Sequence, residues 1–220
     1  MAVLAATATE DSATRLKRER AELRSALAAK CPSKRATIDR LEGASAEQTV
    51  ELLTALEACG AKNEAYFVQL GNALQLTNRF TESEAGFRKA LAVRVTESAQ
   101  LGLLTSLVRQ KVLKPEQKAD LEENLRYFRQ HPCTRDDLCA SLSYVAWHVE
   151  EIELVKQSAE RAIQLGFPGW QPYFTAGTVY SNGSDADRAQ AVKMLREAKK
   201  RGGPAKDIDE FLSLLGAAGP

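Results

Sequence analysis

No apolar run in this sequence approaches the ~20 residues that a bilayer-spanning helix needs, so a membrane span is not expected. Net charge is almost absent: 30 Lys and Arg stand against 29 Asp and Glu. The resulting +1 gives no field that would favour nucleic acid or an anionic lipid surface. No stretch alternates polar and apolar residues with period two, which removes the ordinary signal for β-strands. The glycines are scattered at segment ends, so no loop is available to cradle a phosphate. The opening residues, MAVLAATATEDS, have no basic flank and too short an apolar stretch for an intact signal peptide.

Metal-ligand residue types are equally scarce. His131, Cys133, Cys139 and His148 form the one grouping, with spacing H-x-C-x₅-C-x₈-H, unlike the tight knuckles of structural zinc. A Cys–His nucleophile pair would need an orienting residue and an oxyanion loop, and neither is recognisable. No cofactor, metal or catalysis is therefore expected. The run Lys193, Arg196, Lys199, Lys200 and Arg201 falls at a helix C-terminus, where cations favour the dipole. It has no aromatic platform for bases. Asn182-Gly-Ser184 is a formal glycosylation sequon that reads equally as a turn.

What is present is helical periodicity along nearly all of the 220 residues, with 44% apolar residues to build a core. A first helix is expected over about 13 to 30, basic on one side and carrying Leu16, Leu23 and Leu27 on the other, and stopped by Pro32. A short helical piece at about 35 to 42 ends at Gly43. Ser45 and Gln48 then form a capping-box pair that opens a helix closed by Gly60. Between 64 and 90, Phe67, Leu70, Gly71 and Leu74 mark one helix, and Ser83, Phe87 and Ala90 mark the next. Asn78-Arg79-Phe80 supplies a turn, with the aromatic suited to plug the gap between the two. Ala90, Ala162 and Ala198 fill the same small-residue place, at intervals of 72 and 36 residues. A weaker unit lies between, with Leu101, Leu104 and Val108 on one helix. Its second helix starts at Pro115 and carries Leu121, Leu125 and Phe128. The next repeat has Cys139, Leu142 and Ala146, then Val155, Ala159 and Ala162. The last has Trp170, Tyr173, Ala176, Gly177 and Tyr180. Asp207 with Glu210 is expected to cap a final helix bearing Ile208, Phe211, Leu212 and Leu215.

These spacings resemble the tetratricopeptide repeat, whose pattern is W-x₂-L-G-x₂-Y followed by A-x₃-F and a late proline. The resemblance covers roughly residues 63–204. It implies an all-α fold, a right-handed superhelix of stacked antiparallel helix hairpins. Residues 1–62 would be a helical extension or degenerate repeat, and 205–220 a capping helix and tail. It implies no catalysis, but a groove lined by the first helix of each pair that grips a partner's peptide or helix. Offsetting by one or two residues from the apolar seam picks Val68, Asn72 and Gln75, then Ser106 and Arg109. It next picks Ala140, Tyr144 and Trp147, and finally Phe174 and Thr178. Tyr144, Trp147 and Phe174 are either binding anchors or filler between helices. Some members of this family clamp a carboxylate with Lys, Arg and Asn. Asn72 fits that set, whereas Val68 and Ala140 do not, which points to an apolar peptide or amphipathic helix instead.

Four cysteines permit two bridges. In a single helix Cys133 and Cys139 would have Cα atoms ~9 Å apart, beyond the ~7 Å limit for a disulfide. Cys133 follows Pro132 and precedes Thr134-Arg135-Asp136, a helix start, so it belongs to a loop from which Cys139 can be bridged. The other reading makes Cys59 and Cys139 small buried apolar residues. The compartment is cytoplasmic under that reading and an exporting one if the cysteines are paired. The functional expectation is a non-enzymatic scaffold that binds a protein or peptide. The alternative is a structural subunit that assembles through its terminal helices.

Overall fold

Thirteen α-helices follow one another through the described residues, which are 11–60 and 62–217 of this computed structural model. Residues 1–10, most of the segment weighed as a signal peptide, lie outside them, as do the last three of the tail. The helices are α1 (Ser12–Lys30), α2 (Arg35–Asp39), α3 (Ala46–Ala55), α4 (Glu57–Gly60), α5 (Glu64–Leu76), α6 (Phe80–Val93) and α7 (Glu97–Val108). They continue as α8 (Pro115–Gln130), α9 (Asp136–His148), α10 (Ile152–Gln164), α11 (Gln171–Tyr180), α12 (Asp185–Lys200) and α13 (Ala205–Leu214). No strand occurs among the described residues, and no described helix is long and apolar enough to cross a membrane.

The boundaries follow local chemistry. Ser45 caps α3 and Gln48 returns the bond at 3.0 Å, completing the expected capping box. Asn63 and Thr96 cap α5 and α7, and Pro115 opens α8, where its missing N–H costs nothing. Asn78, at φ 58°, reverses the chain between α5 and α6. The last helix departs from expectation. It starts at Ala205, so Asp207 lies within the first turn and Pro204 at the cap. Proline's fixed φ, here −66°, launches the helix three residues early.

Helices pack on their neighbours and next neighbours along the chain: α3 on α5, α5 on α6 and α7, α7 on α8 and α9, α9 on α10 and α11, α11 on α12. The second helices share one seam, spaced i, i+4, i+7. Ser83, Phe87 and Ala90 of α6, Val155, Ala159 and Ala162 of α10, and Ala191, Leu195 and Ala198 of α12 are all at 0% exposure. In α8 the same spacing falls on Leu121, Leu125 and Phe128, and at the last helix on Ile208 and Leu212 of α13 and its C-cap Leu215.

Gly71 and Gly102 let α5 and α7 close around Phe87. A Cβ at Gly71 would stand 2.7 Å from that ring, and one at Gly102 only 2.1 Å. Phe87 therefore fills the space between α5 and α7, and Phe80, expected in the gap between α5 and α6, lies half-buried beneath the Arg109 guanidinium, 5.4 Å away. Beside this seam Glu84 is buried yet charged. Burial raises its pKa most, but hydrogen bonds from Gln110 (2.7 Å), Arg88 and Gln117 (2.6 Å) outweigh it and hold the carboxyl below the usual range.

Both cysteine pairs are bridged. Cys31, at the end of α1, joins Cys59 of α4 with Cα atoms 5.8 Å apart, and Cys133 joins Cys139 at 5.4 Å. Cys59 and Cys139 are buried, as small apolar residues would be, but as half-cystines. The second bridge is feasible because Cys133 sits in the loop before α9, not in the helix.

Candidate functional site

The first helices α5, α7 and α9 turn one face away from their partners. Val68, Asn72 and Gln75 of α5, Leu101 and Thr105 of α7, and Ala140 and Tyr144 of α9 border a single cavity of about 570 Å³. Phe167 and Trp170, which precede α11, also line it. Gln75 is fixed in the floor: its amide donates to Gly102 O (2.8 Å) and Ser106 Oγ (2.9 Å). Ser106 in turn pairs with Ser83 at 2.9 Å, so the floor is braced to the α6 seam. Tyr144 is half-buried, edge-on to His148 with centroids 4.5 Å apart. Burial first, then the Arg109 charge, hold the His148 pKa below its ordinary value.

The cavity brings together Val68, Asn72, Gln75 and Tyr144, with Ala140 between them. Other expected groove residues are placed elsewhere. Phe174, at 6% exposure, is core between α11 and α13, edge-on to Phe211, Trp147 and Trp170. Trp147 is largely taken up by that same aromatic cluster. Thr178 is buried, its hydroxyl donating to Thr175 O at 2.9 Å. Ser106 is buried in the seam, and Arg109 covers Phe80. For the residues of α7 and α11 the difference in placement has a physical cause. α7 and α11 bury residues nearly all round, so their apolar stripe does not reveal which side faces out. Cys133 and Cys139 are bonded to each other, and among the described residues no group of three His, Cys, Asp or Glu is placed to hold a metal.

Sequence reasoning did not anticipate the course of α1. Leu23 and Leu27 are buried against Ile38, Leu53 and Val68, but the first half of the helix runs out over the cavity. Leu16 and Glu19 line it, together with Val68 and Asn72 of α5. Arg15 Nη2 meets Asp136 at 2.7 Å and Asp137 at 2.8 Å, and Arg135 meets Glu19 at 3.0 Å. These pairs join residues more than 115 positions apart. Arg15 and Asp136 are 15% and 13% exposed, so this contact is less screened than a surface pair. Asp136 and Asp137 also sit in the first turn of α9, where carboxylates favour the dipole. In the sequence, Asp136 reads only as part of a helix start and α1 only as basic on one side. Nothing local in the sequence links the two.

The chain matches no protein-family model, and no curated protein matches it.

Proposed function

We propose that this chain is a tetratricopeptide-like scaffold whose cavity between α5, α7 and α9 binds a peptide or helix from another protein, without catalysis. The observation that carries this reading is that three successive first helices contribute side chains to one recess. A repeat array presents a continuous surface in this way. The buried i, i+4, i+7 seam repeated through α6, α10 and α12 supports the hairpin repeat that such an array requires. The lining combines apolar side chains (Val68, Leu101, Ala140), neutral amides (Asn72, Gln75) and three half-buried aromatics, Tyr144, Phe167 and Trp170. Tyr144 offers a large contact area with little rotamer entropy to lose, and Asn72 a fork of donor and acceptor for a peptide group. The assembly reading loses support at its proposed interface, because Leu23 and Leu27 of α1 are buried within the same chain.

The test is selection of displayed peptides on the full chain, followed by fluorescence anisotropy of the enriched sequences. Asn72→Ala/Tyr144→Ala is expected to weaken them at least about ten-fold, in the range of a hot-spot truncation. Unchanged affinity in that variant removes the cavity from the binding role, and failure to enrich any peptide removes the scaffold reading.

A further inference from the structure

We propose that the first half of α1 is an intramolecular occupant of the binding recess, and that the partner is an amphipathic helix that displaces it. That helix would carry a cation, an adjacent leucine and an acid four residues after the cation, the pattern Arg15-Leu16-x-x-Glu19. The inference rests on the binding reading above and names the chemistry of its ligand.

Four observations converge on α1. Leu16 and Glu19 stand in the same cavity as Val68, Asn72 and Tyr144, so a ligand seated there meets α1 first. The helix is held differently at its two ends. At the C-terminal end Leu23 and Leu27 are in the core, and Cys31 is covalently tied to Cys59. At the N-terminal end Leu16 remains 39% exposed, and the hold is mainly ionic, through Arg15 and Glu19. One end is fixed and the other latched, which is the arrangement of a strap.

The latch is also incomplete. Arg15 Nε is buried without a hydrogen-bond partner among the described residues, as is Gln171 Oε1 on the cavity lining. Buried polar groups are normally satisfied, so α1 is imperfectly seated at Arg15, and Gln171 offers an acceptor that a better-fitting helix can use. The receptor side, by contrast, is braced. Arg135, Asp136 and Asp137 lie inside the short loop closed by Cys133–Cys139, and Arg135 is further paired with Asp137 at 2.9 Å. A preformed cluster of one cation and two carboxylates selects a helix with the complementary charge order. Because the bridge at Cys31 keeps α1 close, it competes at high effective concentration, and an external helix sees its affinity reduced by the fraction of strap open.

The experiment compares the wild-type chain with Arg15→Glu/Glu19→Arg, in which both latch contacts become repulsive. The probe is a fluorescent synthetic peptide of residues 11–24, read by anisotropy. Circular dichroism checks that the variant keeps its helix content. The variant is expected to bind the peptide about ten-fold or more tighter than wild type. The same peptide carrying the two charge reversals is expected to lose that affinity on the variant. Amide hydrogen exchange is expected to speed up in residues 12–22 and stay slow in 23–30. Equal binding to both chains, or binding to neither, overturns the strap. So does loss of protection along the whole of α1. Selected peptides that bind the cavity equally in both chains would overturn the strap and leave the binding reading standing. If no peptide enriches, the binding reading itself fails.

Discussion

Gly102 and Gly86 invite the same substitution, and the packing of Phe87 predicts opposite signs for it. Alanine in a helix interior is favoured over glycine by about 1 kcal/mol, partly through the unfolded chain. At Gly86 of α6 the new Cβ would find its nearest neighbour, Gly71 Cα, at 3.5 Å, an ordinary contact. Gly86→Ala should therefore keep most of that gain, about 0.5–1 kcal/mol. At Gly102 of α7 the Cβ would stand 2.1, 2.2 and 2.5 Å from three atoms of the Phe87 ring. That ring cannot swing aside. It is fully buried, and on its other side a Cβ at Gly71 would be only 2.7 Å away. Overpacking of this kind costs about 1–3 kcal/mol, and the enclosed ring argues for the upper end. After the propensity gain the net loss should be about 1–2 kcal/mol. Urea denaturation with the disulfides intact measures both variants on one scale. The double variant Gly102→Ala/Phe87→Leu should recover part of the loss relative to the two singles, because the shorter side chain vacates the clash. Equal stability changes at Gly86 and Gly102, or additive behaviour in the double variant, would refute the idea that the glycines set the helix spacing around this ring.

The remaining predictions concern polar groups and bridges. Glu84 has a depressed pKa in the fold, so its contribution to stability is fully present above the ordinary carboxylate value near pH 4.5 and lost as pH falls through the folded value. Glu84→Gln should cost about 1–3 kcal/mol at neutral pH, and thermal scans from about pH 6 to about pH 3 should show the gap to wild type closing. Tyr66 is fully buried, its hydroxyl donates to Leu53 O at 2.7 Å, and its pKa is pushed up to about 12, first by burial and then by the Glu57 charge. Tyr66→Phe should lose about 1–2 kcal/mol by urea titration, since the Leu53 carbonyl is left without this donor. The bridges span 28 and 6 positions, so chain entropy assigns about 3.6 kcal/mol to Cys31–Cys59 and about 2.2 to Cys133–Cys139. Cys31→Ser/Cys59→Ser should therefore lower the melting temperature more than Cys133→Ser/Cys139→Ser, a ranking that calorimetry checks directly.

Helix existence and the internal seam were legible in the residues alone, because both are local or periodic. The Ser45–Gln48 capping box, the opening of α8 at Pro115 and the loop position of Cys133 depend on neighbours within a few residues. The recurrence of Ala90, Ala162 and Ala198 depends on one spacing repeated along the chain, and all three are buried where that spacing put them. Tertiary structure decided the rest. Only packing shows that Phe87 is enclosed between α5 and α7 while Phe80 lies beneath Arg109, since both are aromatic at helical positions. Only packing separates Tyr144, which borders the cavity, from Phe174, which is core. A stripe of apolar residues is the same signal whether it meets a partner or another helix. The fold alone brings Arg15 to Asp136 and Asp137. An ion pair is specified by distance in space, and a separation of 121 positions leaves no periodic trace of it in the chain.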